Sequence, residues 1–117
     1  MINAEIQGGN IALTDLESDR HYPASNTAAT KTIAAVATAR HVLTKLVWSY
    51  SGAPTGGRLT VVDGATTVFD IDISAAGPGS IGLMAPMSLN SAMAVTLAAG
   101  GVGITGKLQF YYLTKQS

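Results

Sequence analysis

Two glycine-rich stretches have spacings that occur in nucleotide-binding loops. Residues 101–106 read G-V-G-I-T-G and match the dinucleotide fingerprint, while residues 101–107 and 52–58 resemble a phosphate-binding loop. The fingerprint needs a helix after the loop, but an alternating, strand-like pattern follows here. Leu108 and Leu59 also stand where a hydroxyl group would hold magnesium. Both stretches are therefore predicted to be hairpin loops, and no cofactor is expected.

Carboxylates are a second group of residues that could do chemistry. Asp70 and Asp72 are two apart, so they project from one face of a strand and could form an acid/base or metal pair. Arg58 should lie diagonally across from Asp70, which favours a solvated outer face. The acidic residues Asp15, Glu17 and Asp19 also suit a solvated stretch, because a calcium loop needs more oxygen ligands in a fixed order.

Histidine chemistry has little support in the sequence. His21 and His41 are the only histidines, and no serine lies in a G-x-S-x-G elbow. His41 alternates with Val42 on a predicted strand, so we expect it at the surface or in an interface. With no catalytic residue and no metal ligand assigned, the sequence predicts a protein that is not an enzyme.

The elements that position these residues are predicted to be strands. The clearest is a hairpin from Arg58 to Ile73 around Asp63-Gly64. A three-residue loop, residues 62–64, is preferred over a two-residue loop because it keeps the apolar side chains of both strands on one face. That register pairs residue 61 with 65 and 59 with 67, with Gly64 left-handed. The predicted core comprises Leu59, Val61, Phe69, Ile71, Leu108 and Phe110.

The segment from Thr30 to Tyr50 allows two interpretations. Its apolar residues lie near helical spacing, but many of its residues are β-branched and disfavour a helix. We predict two strands with a break near Ala39 and Arg40. The second strand should present one face of alternate residues from Val42 to Tyr50. Together with turns roughly every 10–15 residues, this predicts an all-β, antiparallel two-sheet sandwich that is jelly-roll-like.

Composition favours an assembly role. The chain has 117 residues, no cysteine, and seven Lys+Arg against seven Asp+Glu, so its formal net charge is zero. No basic footprint for nucleic acid and no apolar run long enough for a membrane span is present, and neither partner is expected. Only 12% of residues are charged, about half the usual fraction. A surface this poor in charge favours self-association or coverage by partners.

The N-terminal residues 1–30 are predicted to form an extended arm, and residues 31–117 the β-sandwich domain. Apolar residues in the arm follow neither the strand nor the helix period, so they suit contact with a partner better than closure of the arm's own core. Trp48 and Tyr50 are predicted to be core or interface aromatics. The candidate interface residues are Ile2, Ile6, Ile11, Leu13, Leu16, Tyr22, Trp48, Tyr50 and Tyr111.

The stretches R-H-V at 40–42, S-Y-S-G-A-P-T-G-G-R-L-T-V at 49–61, V-F-D-I-D-I at 68–73 and L-A-A-G-G-V-G-I-T-G-K-L at 97–108 carry a resemblance to a known family. With Asp63-Gly64 they resemble the capsid decoration, or cement, proteins of tailed bacteriophages over residues 40–112. The resemblance implies a jelly-roll-like virion protein on the outer capsid surface. It also implies the major capsid protein as partner and a homo-oligomer, either a trimer or a dimer. Residues 1–10 lack the basic start and apolar core of a signal peptide, so we expect the protein to be made in the host cytoplasm.

An alternative function is a receptor- or glycan-binding module of a phage fibre or tail. Exposed aromatic side chains would carry that function, and Trp48, Tyr50, Tyr111 and Tyr112 are the candidates. Capsid association predicts co-sedimentation with heads, whereas fibre function predicts binding to cells.

Overall fold

The structure, a computed structural model, describes residues 16–116, which form eight strands and no helix. Accordingly, this part of the chain contains no helix long and apolar enough to cross a membrane. The strands are β1 (Glu17–His21), β2 (Ala29–Ile33), β3 (Ala39–Tyr50), β4 (Gly57–Asp63), β5 (Thr66–Ile73), β6 (Gly77–Pro86), β7 (Met93–Leu97) and β8 (Gly106–Gln116).

The strands form two four-stranded antiparallel sheets. The first sheet has the order β1-β8-β3-β6 and the second has the order β2-β7-β4-β5. This is the strand order of an eight-stranded jelly roll, and the predicted fold class is confirmed.

The core lies between the two sheets and is built from alternate residues of the central strands. The predicted residues Leu59, Val61, Leu108 and Phe110 are fully buried, whereas Phe69 and Ile71 are half-buried and pack against the core from edge strand β5. Burial of such apolar side chains is the main stabilising contribution to a domain of this size. Other fully buried core residues are Leu43, Leu46, Met93, Val95 and Leu97.

The two strands predicted between Thr30 and Tyr50 are present as β2 and β3, and the helical alternative is wrong. The predicted single face of β3 is interrupted, because a bulge shifts the register between Leu43 and Lys45. The hydroxyl of Thr44, at the bulge, donates to the carbonyl oxygen of Tyr111 at 3.0 Å. As a result Leu43 and Leu46 both face the core, and Val42 lies on the opposite side of the strand.

The β4–β5 hairpin has a different loop from the predicted one. Asp63 pairs with Thr66, which leaves a two-residue loop at positions 64 and 65, and Gly64 has the expected positive φ of 64°. The register then shifts, so that Val61 pairs with Phe69. Val68 has no partner in β4, and this extra residue keeps Val61 and Phe69 on one apolar face, as the predicted three-residue loop would have done.

The sandwich begins earlier than the boundary at residues 30 and 31 predicted from the sequence. Strand β1 pairs with β8 along its whole length, and β2 starts at Ala29. Sequence periodicity misses β1 because its inward positions are polar. Asp19 reaches Lys31 on β2 at 3.8 Å, and the N–H of Thr30 donates to Nδ1 of His21 at 3.1 Å. These contacts close one edge of the sandwich.

Candidate binding face

The outer face of the first sheet gathers polar aromatic and basic side chains. In β8, Leu108, Phe110 and Tyr112 point into the core, so the residues between them point outward. The register places Tyr111 opposite Lys45, Gln109 opposite Val47, and Gln109 also opposite Arg20 of β1. We call this surface the tyrosine face, and its members are Arg20, Tyr22, Lys45, Val47, Lys107, Gln109 and Tyr111.

A chain of hydrogen bonds orders the centre of the tyrosine face. The hydroxyl of Tyr22 donates to Oε1 of Gln109 at 3.2 Å, and Nε2 of Gln109 donates to the hydroxyl oxygen of Tyr111 at 2.8 Å. The Lys107 ammonium lies 5.9 Å from the centroid of the Tyr22 ring, within cation–π range. Because Tyr111 accepts in this chain, its own hydroxyl proton is free to be donated to a partner.

Two open depressions cross this face. One of about 290 Å³ is bounded by Tyr22, Trp48, Pro78 and Lys107, among others. The other, of about 430 Å³, includes Leu16, Lys45 and Tyr111 in its lining. Val47 and Gln109 line both, so the depressions are adjacent. Their linings combine aromatic rings, the Gln109 amide and the ammonium groups of Lys45 and Lys107.

Charge is distributed unevenly between the two outer faces. By register, Arg20, Lys45 and Lys107 lie on the tyrosine face, and all three are exposed. Asp70 and Asp72 lie on the outer face of the second sheet, where Arg58 donates two hydrogen bonds to Asp70, at 2.7 and 2.5 Å. Although the formal net charge is zero, the tyrosine face is thus basic, and Asp70 and Asp72 form an acidic edge on the second sheet.

The structure brings Leu16 and Tyr22 to the same surface as Tyr111, the tyrosine face, although Tyr111 is remote from both in sequence. Trp48 is half-buried, packs against the core and is close to Gly79, where an added Cβ would lie 2.4 Å from the ring. Tyr50, predicted to be a core or interface aromatic, is a core residue. The candidates Ile2, Ile6, Ile11 and Leu13 lie outside the described residues.

Tyr50 and Tyr112 are core residues. Tyr50 is 2% exposed, its hydroxyl donates to the carbonyl oxygen of Ala98 at 2.6 Å, and burial raises the pKa of its phenol. Burial likewise raises the pKa of Tyr112, which is 9% exposed. Neither ring can stack on a ligand, which removes two of the four aromatics considered for glycan binding.

His41 is buried, contrary to the surface or interface position predicted for it. Its Nε2 lies 2.8 Å from the carbonyl oxygen of Ala34, and a carbonyl only accepts, so Nε2 carries the proton. Its Nδ1 then accepts from the hydroxyl of Thr114 at 2.8 Å. Both ring nitrogens are therefore used in joining β3 to β8 and to the chain after β2, which is a structural role.

The glycine-rich stretches are loops that lead into strands, but they are not the predicted hairpin loops, because β3 and β4, like β7 and β8, lie in different sheets. Gly101 and Gly103 have positive φ values of 108° and 78°, and strand β8 follows where a nucleotide fingerprint would need a helix. Arg58 lies diagonally across from Asp70, as predicted, and its hydrogen bonds lower the pKa of that carboxyl. Within residues 16–116 no three His, Asp or Glu side chains are grouped to hold a metal ion.

Sequence reasoning missed Lys45, Lys107 and Gln109 as members of the tyrosine face. A signal for two of them was available, since the last strand alternates and positions 107, 109 and 111 must share the side opposite to Leu108 and Phe110. Lys45 had a signal of the same kind, because it lies on the side opposite to Leu46, Trp48 and Tyr50, and the bulge before it changes only the side on which Val42 lies.

No protein-family model matches the chain, and no curated protein matches it. Among solved structures, the chain is similar to one described as carbohydrate-binding module CBM36 in complex with calcium and xylotriose. The TM-score is 0.41 at 14% identity, over 82% of this chain and 78% of the other. A TM-score this low assigns no function, and the jelly-roll assignment rests on the strand order.

Proposed function

We propose that this protein decorates and stabilises a phage capsid by binding major capsid subunits through the tyrosine face. The observation that carries the proposal is the convergence of three predicted interface residues, Leu16, Tyr22 and Tyr111, on one surface. Leu16 lines one of the two depressions and directly follows residues 1–15, the segment whose apolar residues are predicted from the sequence to contact a partner. The family resemblance over residues 40–112 supports a capsid as the partner.

The charge on the tyrosine face indicates the chemistry of the partner surface. Arg20, Lys45 and Lys107 are exposed cations, and a capsid surface rich in carboxylates would complement them. Pairs of this kind at a solvated rim weaken as salt screens them. Attachment should therefore weaken with rising ionic strength, while the contacts of Tyr22 and Tyr111 persist.

The test is co-sedimentation with heads prepared without this protein from the phage that encodes it. The double variant Tyr22→Ala/Tyr111→Ala should lose at least roughly tenfold in affinity, as expected for anchoring aromatics at an interface. The matched control, Thr60→Ala/Thr96→Ala, changes the opposite face and should bind as the native protein does. Decorated heads should also resist heating better than bare heads. Equal heat resistance, or equal binding by both variants, would contradict the proposal.

A second candidate is glycan binding at the same face. Tyr22 is 52% exposed and lies beside the Gln109 amide and the 290 Å³ depression, a combination that suits stacking and hydrogen bonding to a sugar. Titration calorimetry with host surface glycans tests it. Saturable binding that is lost in Tyr22→Ala, with no binding to heads, would favour this function over decoration.

A further inference from the structure

The four edge strands of the sandwich differ in how they are protected from pairing. Charged side chains on an edge discourage another strand from adding to it. Strand β1 carries Glu17, Asp19 and Arg20, β2 carries Lys31, and β5 carries Asp70 and Asp72. Strand β6 (GPGSIGLMAP) carries no charged residue at all. It is thus the one edge, among the described strands, without this protection.

Strand β6 also presents apolar side chains at that edge. It pairs with β3 on one side, and no strand within residues 16–116 pairs with its other side. Met84 and Ile81 are 62% and 37% exposed, and Leu83 is only half-buried although it packs against the core. A long, uncharged and partly apolar edge of this kind is a template for another strand.

We propose that β6 pairs antiparallel with β6 of a second copy about a twofold axis at Gly82. The two first sheets then become one continuous eight-stranded sheet. Proline cannot donate a ladder hydrogen bond and is confined to the ends of such pairings. Pro78 and Pro86 are equally distant from Gly82 along the strand, so this register places each proline opposite the partner's other proline, outside the paired stretch.

The register at Gly82 is complementary in its side chains as well. Ile81 of one copy lies opposite Leu83 of the other. Ile81 pairs with the core residue Leu46 within its own sheet and Leu83 packs against the core, so pairing would cover apolar surface that is now exposed. No like charges meet, because residues 77–86 are uncharged. An added Cβ at Gly82 meets nothing within 4 Å in the monomer. The second copy is favoured over a different protein because the edge complements itself.

Disulfide cross-linking tests the pairing and its register, because the chain has no cysteine of its own. Across the twofold axis the two Gly82 Cα atoms would lie about 4.5–5.5 Å apart, a separation that a disulfide spans. Gly82→Cys should therefore form a cross-linked dimer on mild oxidation. Ser80→Cys, on the same strand and also exposed, is the matched control, since its two copies would lie about 13 Å apart. The double variant Ser80→Cys/Met84→Cys should cross-link, because residue 80 of one copy would lie opposite residue 84 of the other.

Light scattering on the free protein provides an independent measurement. The native protein should be a dimer, and Met84→Lys should weaken dimerisation at least roughly tenfold by placing charges at the shared edge. Val102→Lys is the control, because Val102 is 91% exposed in the loop before β8 and should not affect dimerisation. Circular dichroism should show both variants folded.

Three outcomes would overturn the pairing: a native monomer at high concentration, a trimer, or equal cross-linking of Gly82→Cys and Ser80→Cys. A monomer that loses head binding in Met84→Lys would assign the edge to a capsid strand instead. Dimerisation is measured without heads, so its failure leaves attachment through the tyrosine face untouched.

Discussion

The two outer faces of this jelly roll have the same backbone architecture and very different surfaces. The tyrosine face of the first sheet carries two tyrosines, a glutamine and three cations. The outer face of the second sheet, which we call the threonine face, carries short side chains at Thr30, Thr32, Thr60, Ala94 and Thr96. Asp70, Asp72 and Arg58 lie along its edge.

This difference distinguishes side chains that suit a strand from side chains that suit contact with a partner. Threonine is well suited to a strand because it is β-branched, and the threonine face holds such residues across three strands. The tyrosine face instead holds long side chains, and ordering them costs rotamer entropy. A hydrogen-bonded row such as Tyr22, Gln109 and Tyr111 reduces that cost before a partner arrives, which favours binding.

The largest expected effect distinguishes the two sides of β8. Phe110 is fully buried, and Phe110→Ala should lower the free energy of unfolding by about 3–5 kcal/mol. The next residue, Tyr111, faces outward, and Tyr111→Ala should lower it by about 1 kcal/mol at most. Urea unfolding followed by tryptophan fluorescence measures both. If the two substitutions cost the same, Tyr111 is a folding residue and the tyrosine face is not free for a partner.

The next largest effect is expected from reversing charges on the tyrosine face, compared with reversing charges on the threonine face. Lys45→Glu/Lys107→Glu should weaken attachment to heads at least roughly tenfold and flatten its dependence on salt. Asp70→Lys/Asp72→Lys makes a change of equal size and opposite sign at the threonine face, and its attachment should stay native-like. Co-sedimentation at several salt concentrations measures both. The comparison fails if the aspartate variant is the weaker binder.

The sequence predicts the sandwich well because its central strands alternate over most of their length. Leu108 and Phe110 fall on one face by period two, and both are buried. The bulges at Thr44 and Val68 could not be predicted, because the position of a bulge depends on how the strand is aligned with its neighbouring strand. Strand β1 was missed because its inward residues, such as Asp19 and His21, are polar. At the edge of the sandwich they form polar contacts with β2 instead of apolar core contacts.

The candidate site was predictable only in part for a related reason. Tyr22 and Tyr111 were identified as interface residues from their type, but their proximity depends on β1 lying next to β8. His41 was misplaced, and the choice between core and interface was left open for Tyr50, because a ring with a polar group can be buried or exposed and its type does not decide which. Both are buried and have hydrogen-bond partners that are remote in sequence or outside regular strands.

Acid stability should distinguish Asp63 from the aspartates of the threonine face. Burial opposes ionisation of Asp63, but hydrogen bonds from Ser91 and from the N–H and hydroxyl of Ser88 outweigh it, with help from the charge of Arg40. The pKa of Asp63 is therefore below its ordinary 3.8. A lowered pKa stabilises the fold above the ordinary value, and this contribution is lost as pH falls through the lowered one.

The substitution Asp63→Asn should therefore reduce stability at neutral pH and make it less dependent on pH below about pH 4. Asp70→Asn is the control: the pKa of Asp70 is also lowered, by Arg58, but the pair is exposed and screened. Its effect on the same urea series should be smaller. A larger effect of Asp70→Asn would show that the acidic edge contributes more to the fold than the Asp63 contacts do.

The smallest expected effect concerns the centre of the threonine face. The hydroxyls of Thr96 and Thr30 lie 3.2 Å apart across neighbouring strands, in an exposed position where water replaces either partner readily. Thr96→Val keeps the β-branched shape and removes the hydrogen bond, so the free energy of unfolding should change by no more than about 0.5 kcal/mol. Head binding should also be unchanged, because the substitution lies on the far side of the sandwich from Tyr22 and Tyr111. If Thr96→Val weakens attachment while Tyr111→Ala does not, the threonine face is the binding surface and the roles of the two faces must be exchanged.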